Sequence, residues 1–176
     1  MTQECTATNR SAYRRTVIVG NSGSGKSWLA VRLARVVNGA VIDLDAIHWE
    51  PGGYGRRRDA EAARAMVREA AAGERWVIEG VYGWLAQEAL PRATALIWLD
   101  LPEAECMANL RHRGLRGGGD EASFAALIAW AGEYRTRENA NSFKAHEVMF
   151  DACARNRLRL RLRSREEILG FLASVA

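Results

Sequence analysis

The sequence predicts an α/β fold, a parallel sheet with helices on both faces, and three observations predict it. The first is the run Thr16-Val17-Ile18-Val19, short, apolar and β-branched. A glycine-rich loop follows at once, and then apolar residues at helical spacing, Leu29, Leu33 and Val36 or Val37. The second is that strand-like and helix-like runs keep alternating along the rest of the chain, the pattern of repeated βα units. The third is size: 176 residues, 48% of them hydrophobic, suit one domain with a sizeable core. No apolar run approaches the length of a membrane span.

Residues 1–14 are polar, carry Glu4 and lack the apolar stretch of a signal peptide, so a disordered tail is expected there and a single domain over 15–176. The first strand is 16–19. Val41-Ile42-Asp43 is the second, followed by a polar loop through Gly52, Gly53 and Gly55. A helix is expected over about 59–72, with Asp59 as N-cap and Ala63, Met66, Val67 and Ala70 on its inner face. Trp76-Val77-Ile78-Glu79 is the third strand, ending at Gly80, and a short helix near 84–89 leads to a fourth over 95–99. Pro102 suits the first turn of a helix running through Met107 and Leu110. A loop containing Gly117-Gly118-Gly119 follows, then helices over about 121–138 and 142–154, the first with Phe124, Leu127, Ile128, Ala131 and Tyr134 as its inner stripe. Ser164 and Glu167 make a capping box for a last helix.

The net charge is +4, and arginine supplies it, since Lys26 and Lys144 are the only lysines. The densest basic run, residues 155–165, alternates strictly, with Leu158, Leu160 and Leu162 on one face and arginines on the other. A solvated edge strand, whose charges discourage edge-to-edge pairing, explains this run better than a nucleic-acid surface. Nucleic acid is therefore not an expected partner, and nothing in the sequence sets an oligomeric state. Cys5, Cys106 and Cys153 have no metal-ligand spacing and fit reduced thiols, the latter two in core packing, in a cytoplasmic protein.

The loop carries the chemistry. Gly20-Asn21-Ser22-Gly23-Ser24-Gly25-Lys26-Ser27 fits G-x-x-x-x-G-K-S/T at every fixed position, between a strand and a helix. Glycines let the backbone wrap closely around phosphate, while successive N–H groups and the helix N-terminus face the anion. Lys26 is expected to reach the β- and γ-phosphates and Ser27 to ligate Mg²⁺. Trp28 follows directly and is expected to pack behind this nucleotide-binding loop. Three further acids stand just past or at strand ends, where function gathers in such sheets: Asp43, Asp45 and Glu79. A carboxylate there can hold Mg²⁺ and another can orient or deprotonate an acceptor hydroxyl, without the residues themselves saying which acid does which. Asp43 or Asp45 can equally cap a turn or a helix.

GNSGSGKS together with VIDLDAIHW, WVIEGVY, ALIWLDLP and RLRSREE resembles the small P-loop kinases over nearly the whole chain. The chain is most similar to the adenylate-kinase-like proteins labelled topology modulation proteins, and is also similar to shikimate and gluconate kinases. The resemblance implies a three-layer P-loop NTPase fold with a five-stranded parallel sheet and a lid, here around 111–123. It implies phosphoryl transfer from ATP, with Mg²⁺, to a small-molecule acceptor. Because the D-x-D pair of shikimate kinases serves metal and acceptor, the resemblance also implies Asp43, with Ser27 and Glu79, for the metal and Asp45 for the acceptor hydroxyl. Lid arginines of such kinases neutralise the transferring phosphoryl, which points to Arg111 and Arg113, with Arg116 behind them. A solvated helix end accounts for the same residues. His48 and Tyr82 are acceptor-pocket candidates, with Trp49 and Trp84 beside them, and Arg137 matches the arginines that flank kinase lids. His146 fits a structural histidine. Val81-Tyr82-Gly83 stands where adenylate kinases have Phe-Pro-Arg, so the acceptor is not transferable from that relative. A regulatory ATPase or switch linked to nucleic acid is the alternative function, and a non-catalytic nucleotide sensor a third. No guanine-reading N-K-x-D pattern is present, which disfavours a GTPase, and the resemblance to kinases implies ATP.

Overall fold

The computed structural model describes residues 10–52, 55–114, 120–154 and 157–176. β1 (Arg15–Gly20) is buried from Thr16 onward. Its side chains alternate between two cores, Val17 and Val19 on one face and Ile18 on the other. Burying each of these aliphatic side chains contributes roughly 1.5–3 kcal/mol, which explains why so short a run is unambiguous as a strand. α1 (Lys26–Val37) follows the loop and buries Leu29, Leu33 and Val37 against the Ile18 face. β2 (Ala40–Asp43) is next, then α2 (Leu44–His48), α3 (Ala60–Ala71) and β3 (Trp76–Gly80). After these come α4 (Gly83–Ala89), a 3₁₀ turn (Leu90–Arg92), β4 (Ala95–Leu99), α5 (Glu103–Arg113) and α6 (Glu121–Gly132). α7 (Phe143–Ala152), β5 (Leu158–Leu162) and α8 (Arg165–Val175) complete the described elements.

The five strands pair in parallel throughout, in the order β2-β3-β1-β4-β5. β1, β3 and β4 occupy the middle, and β3 and β4 are buried at every residue, the continuous apolar run expected when helices cover both faces. One core includes Trp76, Ile78, Leu85, Leu96, Trp98 and Met149, and the other Leu29, Val77, Ile97, Cys106 and Phe171. This is the α/β architecture the sequence predicts, with β2 and β5 at the edges.

Several expectations are corrected. Of the 1–14 tail, residues 1–9 lie outside the described residues, but Tyr13 is buried and meets Phe171 edge-on at 5.1 Å. An aromatic that close to β1 is drawn into the core. The helix expected over 121–138 ends at Gly132, where glycine costs helix stability, and Tyr134 turns inward to join a buried hydrogen-bond chain. α2 takes the place of the loop expected directly after Asp43: Asp43 caps it, and Leu44 and Ile47 bury its inner side. β5 is an edge strand as expected, yet its arginines are not simply solvated. Arg161 holds Asp100 through two hydrogen bonds of 2.9 and 2.7 Å and lies 4.0 Å from the Trp98 ring centroid. Asp100 is almost fully buried and also accepts from Arg135, so its charge is compensated from two sides. Cys106 and Cys153 are buried free thiols, and Cys5 lies outside the described residues. Among the described residues no helix is long and apolar enough to cross a membrane.

Candidate functional site

The loop between β1 and α1 is shaped by its glycines at two points in particular. Gly25 is the N-cap of α1 with φ 92° and gives no side-chain cap to the helix, so the N–H groups of the first turn face outward from bare backbone. Gly23, with φ 80°, lies so close to α5 that a Cβ would collide with the Cys106 carbonyl, and its own carbonyl accepts from Asn109 Nδ2 at 3.0 Å. Asn21 pins the other side of the loop. Its Nδ2 donates to Ala131 O at 2.7 Å and its Oδ1 accepts from Ser22 N at 2.8 Å. Lys26 is buried and its Nζ donates to Asn21 O at 2.8 Å, which holds the ammonium over the loop. Ser24 Oγ is buried without a hydrogen-bond partner. An orphaned hydroxyl, an uncapped helix start and a captive ammonium together fit a phosphate chain.

The acids stand beside this cradle because of sheet register. Asp43 on β2 pairs with Glu79 on β3, and the next pair inward places Glu79 against Ile18 of β1. Glu79 is buried, and burial pushes its carboxyl above the usual range. Lys26 and the Ser27 hydroxyl pull it back down, while Asp43 and Asp45 add to the rise. Asp43 is likewise raised, by desolvation and by Asp45, against hydrogen bonding from the Asp45 N–H and attraction to Lys26. Asp43 Oδ1 accepts from Asp45 N at 2.8 Å, so the capping alternative holds for Asp43. Asp45 sits in the first turn of α2, half-exposed. Lys26, Ser27, Asp43, Asp45 and Glu79 therefore form one electrostatic cluster at the C-terminal ends of β1, β2 and β3. The donor set of two carboxylates and a hydroxyl is made of hard oxygens and carries surplus negative charge, which suits Mg²⁺. Among the described residues no three His, Cys, Asp or Glu side chains close into a cage of their own.

A wall of aromatic rings adjoins the acids. His48 stacks on Tyr82 with ring centroids 4.1 Å apart, Trp49 Nε1 donates to the Tyr82 hydroxyl at 3.0 Å, and Trp84 meets His48 edge-on at 5.9 Å. Burial and the nearby Arg57 charge lower the His48 pKa, and its Nδ1 is buried without a hydrogen-bond partner. Arg58 ties this segment down through Ile47 O, Trp49 O and the Glu50 carboxylate.

Other expected site residues are dispersed. Arg137 stacks on Trp130, 3.4 Å from its ring centroid, and donates to Asn141 O and Trp130 O, one residue from the carbonyl that holds Asn21. Burial pulls its pKa down to about 10. Arg111 and Arg113 are exposed on the last turn of α5, next to Gly114, while Arg116 and Gly117–Gly119 of the expected lid lie outside the described residues. Trp28 does not pack behind the loop. It points outward from α1, 41% exposed, under the Arg32 guanidinium at 3.8 Å, because Leu29 and Ala30 take the inward positions.

Sequence reading missed one arrangement. Trp98 Nε1 donates to the Tyr134 hydroxyl at 3.1 Å, Tyr134 OH meets His146 Nδ1 at 2.7 Å, and His146 Nε2 meets Val81 O at 3.0 Å. His146 is fully buried and its pKa falls to about 3, so the ring is neutral. Nε2 must then donate to the Val81 carbonyl and Nδ1 accept from Tyr134. The chain anchors the residue immediately before Tyr82. The reading of His146 as a structural histidine holds, while its partners Trp98, Tyr134 and Val81 come from segments that the sequence does not link.

The architecture matches solved structures of kinases. A sugar kinase from Janibacter sp. HTCC2649 superposes with a TM-score of 0.53 at 17% identity, covering 92% of this chain and 94% of that one. A gluconokinase from Sinorhizobium meliloti 1021 gives 0.51 at 20%, covering 93% and 94%, and a shikimate kinase from Bacteroides thetaiotaomicron 0.53 at 20%, covering 90% and 94%. At such identities the likeness is one of fold: the chain has the fold of the P-loop kinases. No family model matches the sequence, and no curated protein matches it.

Proposed function

We propose that this protein is a kinase that transfers the γ-phosphoryl group of Mg-ATP to a small hydroxylated acceptor. The observation that carries this reading is the single cluster of Lys26, Ser27, Asp43, Asp45 and Glu79 beside an uncapped α1 N-terminus. Lys26 and the loop amides would hold the β- and γ-phosphates and neutralise charge as it spreads over the transferred group. Ser27, Asp43 and Glu79 would hold Mg²⁺, which when bound supplies further charge neutralisation at the phosphates. Asp45, on a short capped helix facing the same cluster, would accept a hydrogen bond from the acceptor hydroxyl and take its proton during in-line transfer. His48 and Tyr82 would line the acceptor side, with the ring of His48 stacked on that of Tyr82. Arg111, Arg113 and Arg137 supply positive charge to the phosphoryl group or to the acceptor.

The sugar, gluconate and shikimate kinases that share the fold favour a polyhydroxylated or carboxylated metabolite, as does the pairing of acids with aromatic rings. The resemblance of the motifs to topology modulation proteins gives the same nucleotide chemistry and no acceptor. The test is ADP formation with Mg-ATP across pooled sugar acids, cyclic polyols, nucleosides and nucleoside monophosphates. Acceptor-dependent ADP release supports a kinase. Slow hydrolysis indifferent to every pool, but stimulated by DNA or RNA, favours the regulatory ATPase instead.

A further inference from the structure

A cavity of about 680 Å³ opens at the end of the sheet opposite the phosphate loop, where β1, β4 and β5 begin. Among the described residues its lining holds four arginines, Arg14, Arg15, Arg92 and Arg157, and no carboxylate. None of the four takes part in a salt bridge among the described residues. Two of the guanidinium groups are nevertheless held in place. Arg92 Nη2 donates to Ala72 O at 3.1 Å, and Arg157 Nη2 donates to Pro91 O at 3.3 Å. Arg15 Nε is buried with no hydrogen-bond partner. Neutral carbonyls orient these forks but leave their charge uncompensated, and four like charges around one concavity repel.

We propose that this cavity is a second anion site, which takes a phosphorylated small molecule of about nucleotide size. Guanidinium forks match phosphate oxygens bidentately, and a bound phosphate offsets the concentration of like charge around the cavity. The volume falls in the range of small-molecule sites, roughly 300–1,000 Å³. The four arginines line one open concavity of limited volume, which suits a compact ligand better than an extended nucleic-acid strand. β1 separates this site from the phosphate loop by its full length, on the order of 20 Å, so one small ligand cannot fill both. The inference stands independently of the proposed kinase activity.

Calorimetric titration with inorganic pyrophosphate tests it, using the wild type, Lys26→Ala, Arg15→Gln and Arg92→Gln/Arg157→Gln. The expected result is a binding component that survives Lys26→Ala but weakens at least about tenfold in either arginine variant, the scale of one lost charge-assisted hydrogen bond. The double variant alters outer guanidinium groups only, so it still reports if Arg15→Gln misfolds. Pyrophosphate binding that vanishes in Lys26→Ala, or that the arginine substitutions leave unchanged, overturns the proposal. So does tight binding of a single-stranded oligonucleotide that pyrophosphate cannot displace.

Discussion

Lys26 and Glu79 set the character of the site, and each makes a prediction. Lys26→Ala removes a buried ammonium that is held on Asn21 O and attracts the Glu79 and Asp43 carboxyls. Turnover is expected to fall at least about a hundredfold, the scale of losing one preorganised charge donor, with stability lowered by about 1–3 kcal/mol, the scale of leaving a buried partner unpaired. Steady-state kinetics and urea unfolding check the two halves. Glu79 carries a carboxyl whose pKa burial raises above its ordinary 4.5. The folded state therefore holds that proton more tightly than the unfolded chain, and stability falls as pH rises from 4.5 through the raised folded value. Glu79→Gln removes this cost, so at neutral pH without nucleotide the variant should melt at a higher temperature than the wild type, while needing more Mg²⁺ for activity. An unchanged or lower melting temperature, or an unaltered Mg²⁺ requirement, would contradict the assignment. Asp45→Asn should cut acceptor phosphorylation far more than ATP binding, and equal loss of both would mark a structural or metal-holding residue. The placing of Asp43 and Glu79 at strand ends is what the sheet register shows, while the roles of these residues rest on the proposed kinase activity. The G-x-x-x-x-G-K-S spacing was legible in the sequence because it is fixed. The outward turn of Trp28 was not, because no local pattern tells which face of α1 a residue next to the loop will take.

At the scale of elements, α7 meets the strand ends through His146. The chain Trp98–Tyr134–His146–Val81 crosses from β4 to the turn before α4, and it fixes the backbone that presents Tyr82. His146→Phe leaves the Tyr134 hydroxyl and the Val81 carbonyl short of a partner, at about 1–3 kcal/mol for each buried group. Urea denaturation should show that loss. The same ring links stability to pH: its pKa falls from 6.5 to about 3 on folding, so the unfolded chain binds the proton first. Its contribution is complete above pH 6.5 and declines as pH drops toward about 3, a slope that His146→Gln should flatten. This network was hidden from the sequence, since its members come from segments that only tertiary packing brings together. The strands were readable because β1, β3 and β4 lie between helical layers and are mostly apolar, with Arg15, Thr16 and Glu79 the exceptions. α2 was less so, although Asp43 followed by Leu44 and Ile47 is a short capped helix in retrospect. The end of α6 depended on Tyr134 finding Trp98, which no helical periodicity announces.

At the scale of the whole molecule, the residues of the proposed site gather at one end of the sheet. Between β3 and β4, the central strand β1 delivers the phosphate loop, β2 and β3 deliver the acids, and α2 with Tyr82 supplies the aromatic wall. That convergence follows from parallel pairing, which sends every strand's C-terminal end the same way. The fold agrees with solved kinase structures, while the acceptor is a matter for side chains that such likeness does not transfer. The decisive measurement is the fate of the terminal phosphate of γ-labelled ATP, incubated with Mg²⁺ and the active acceptor pool. Label should appear in a phosphorylated acceptor rather than in inorganic phosphate, and Lys26→Ala should abolish its appearance. Label recovered only as inorganic phosphate, at a rate no acceptor changes, or transfer undiminished in Lys26→Ala, would contradict a kinase built on this site.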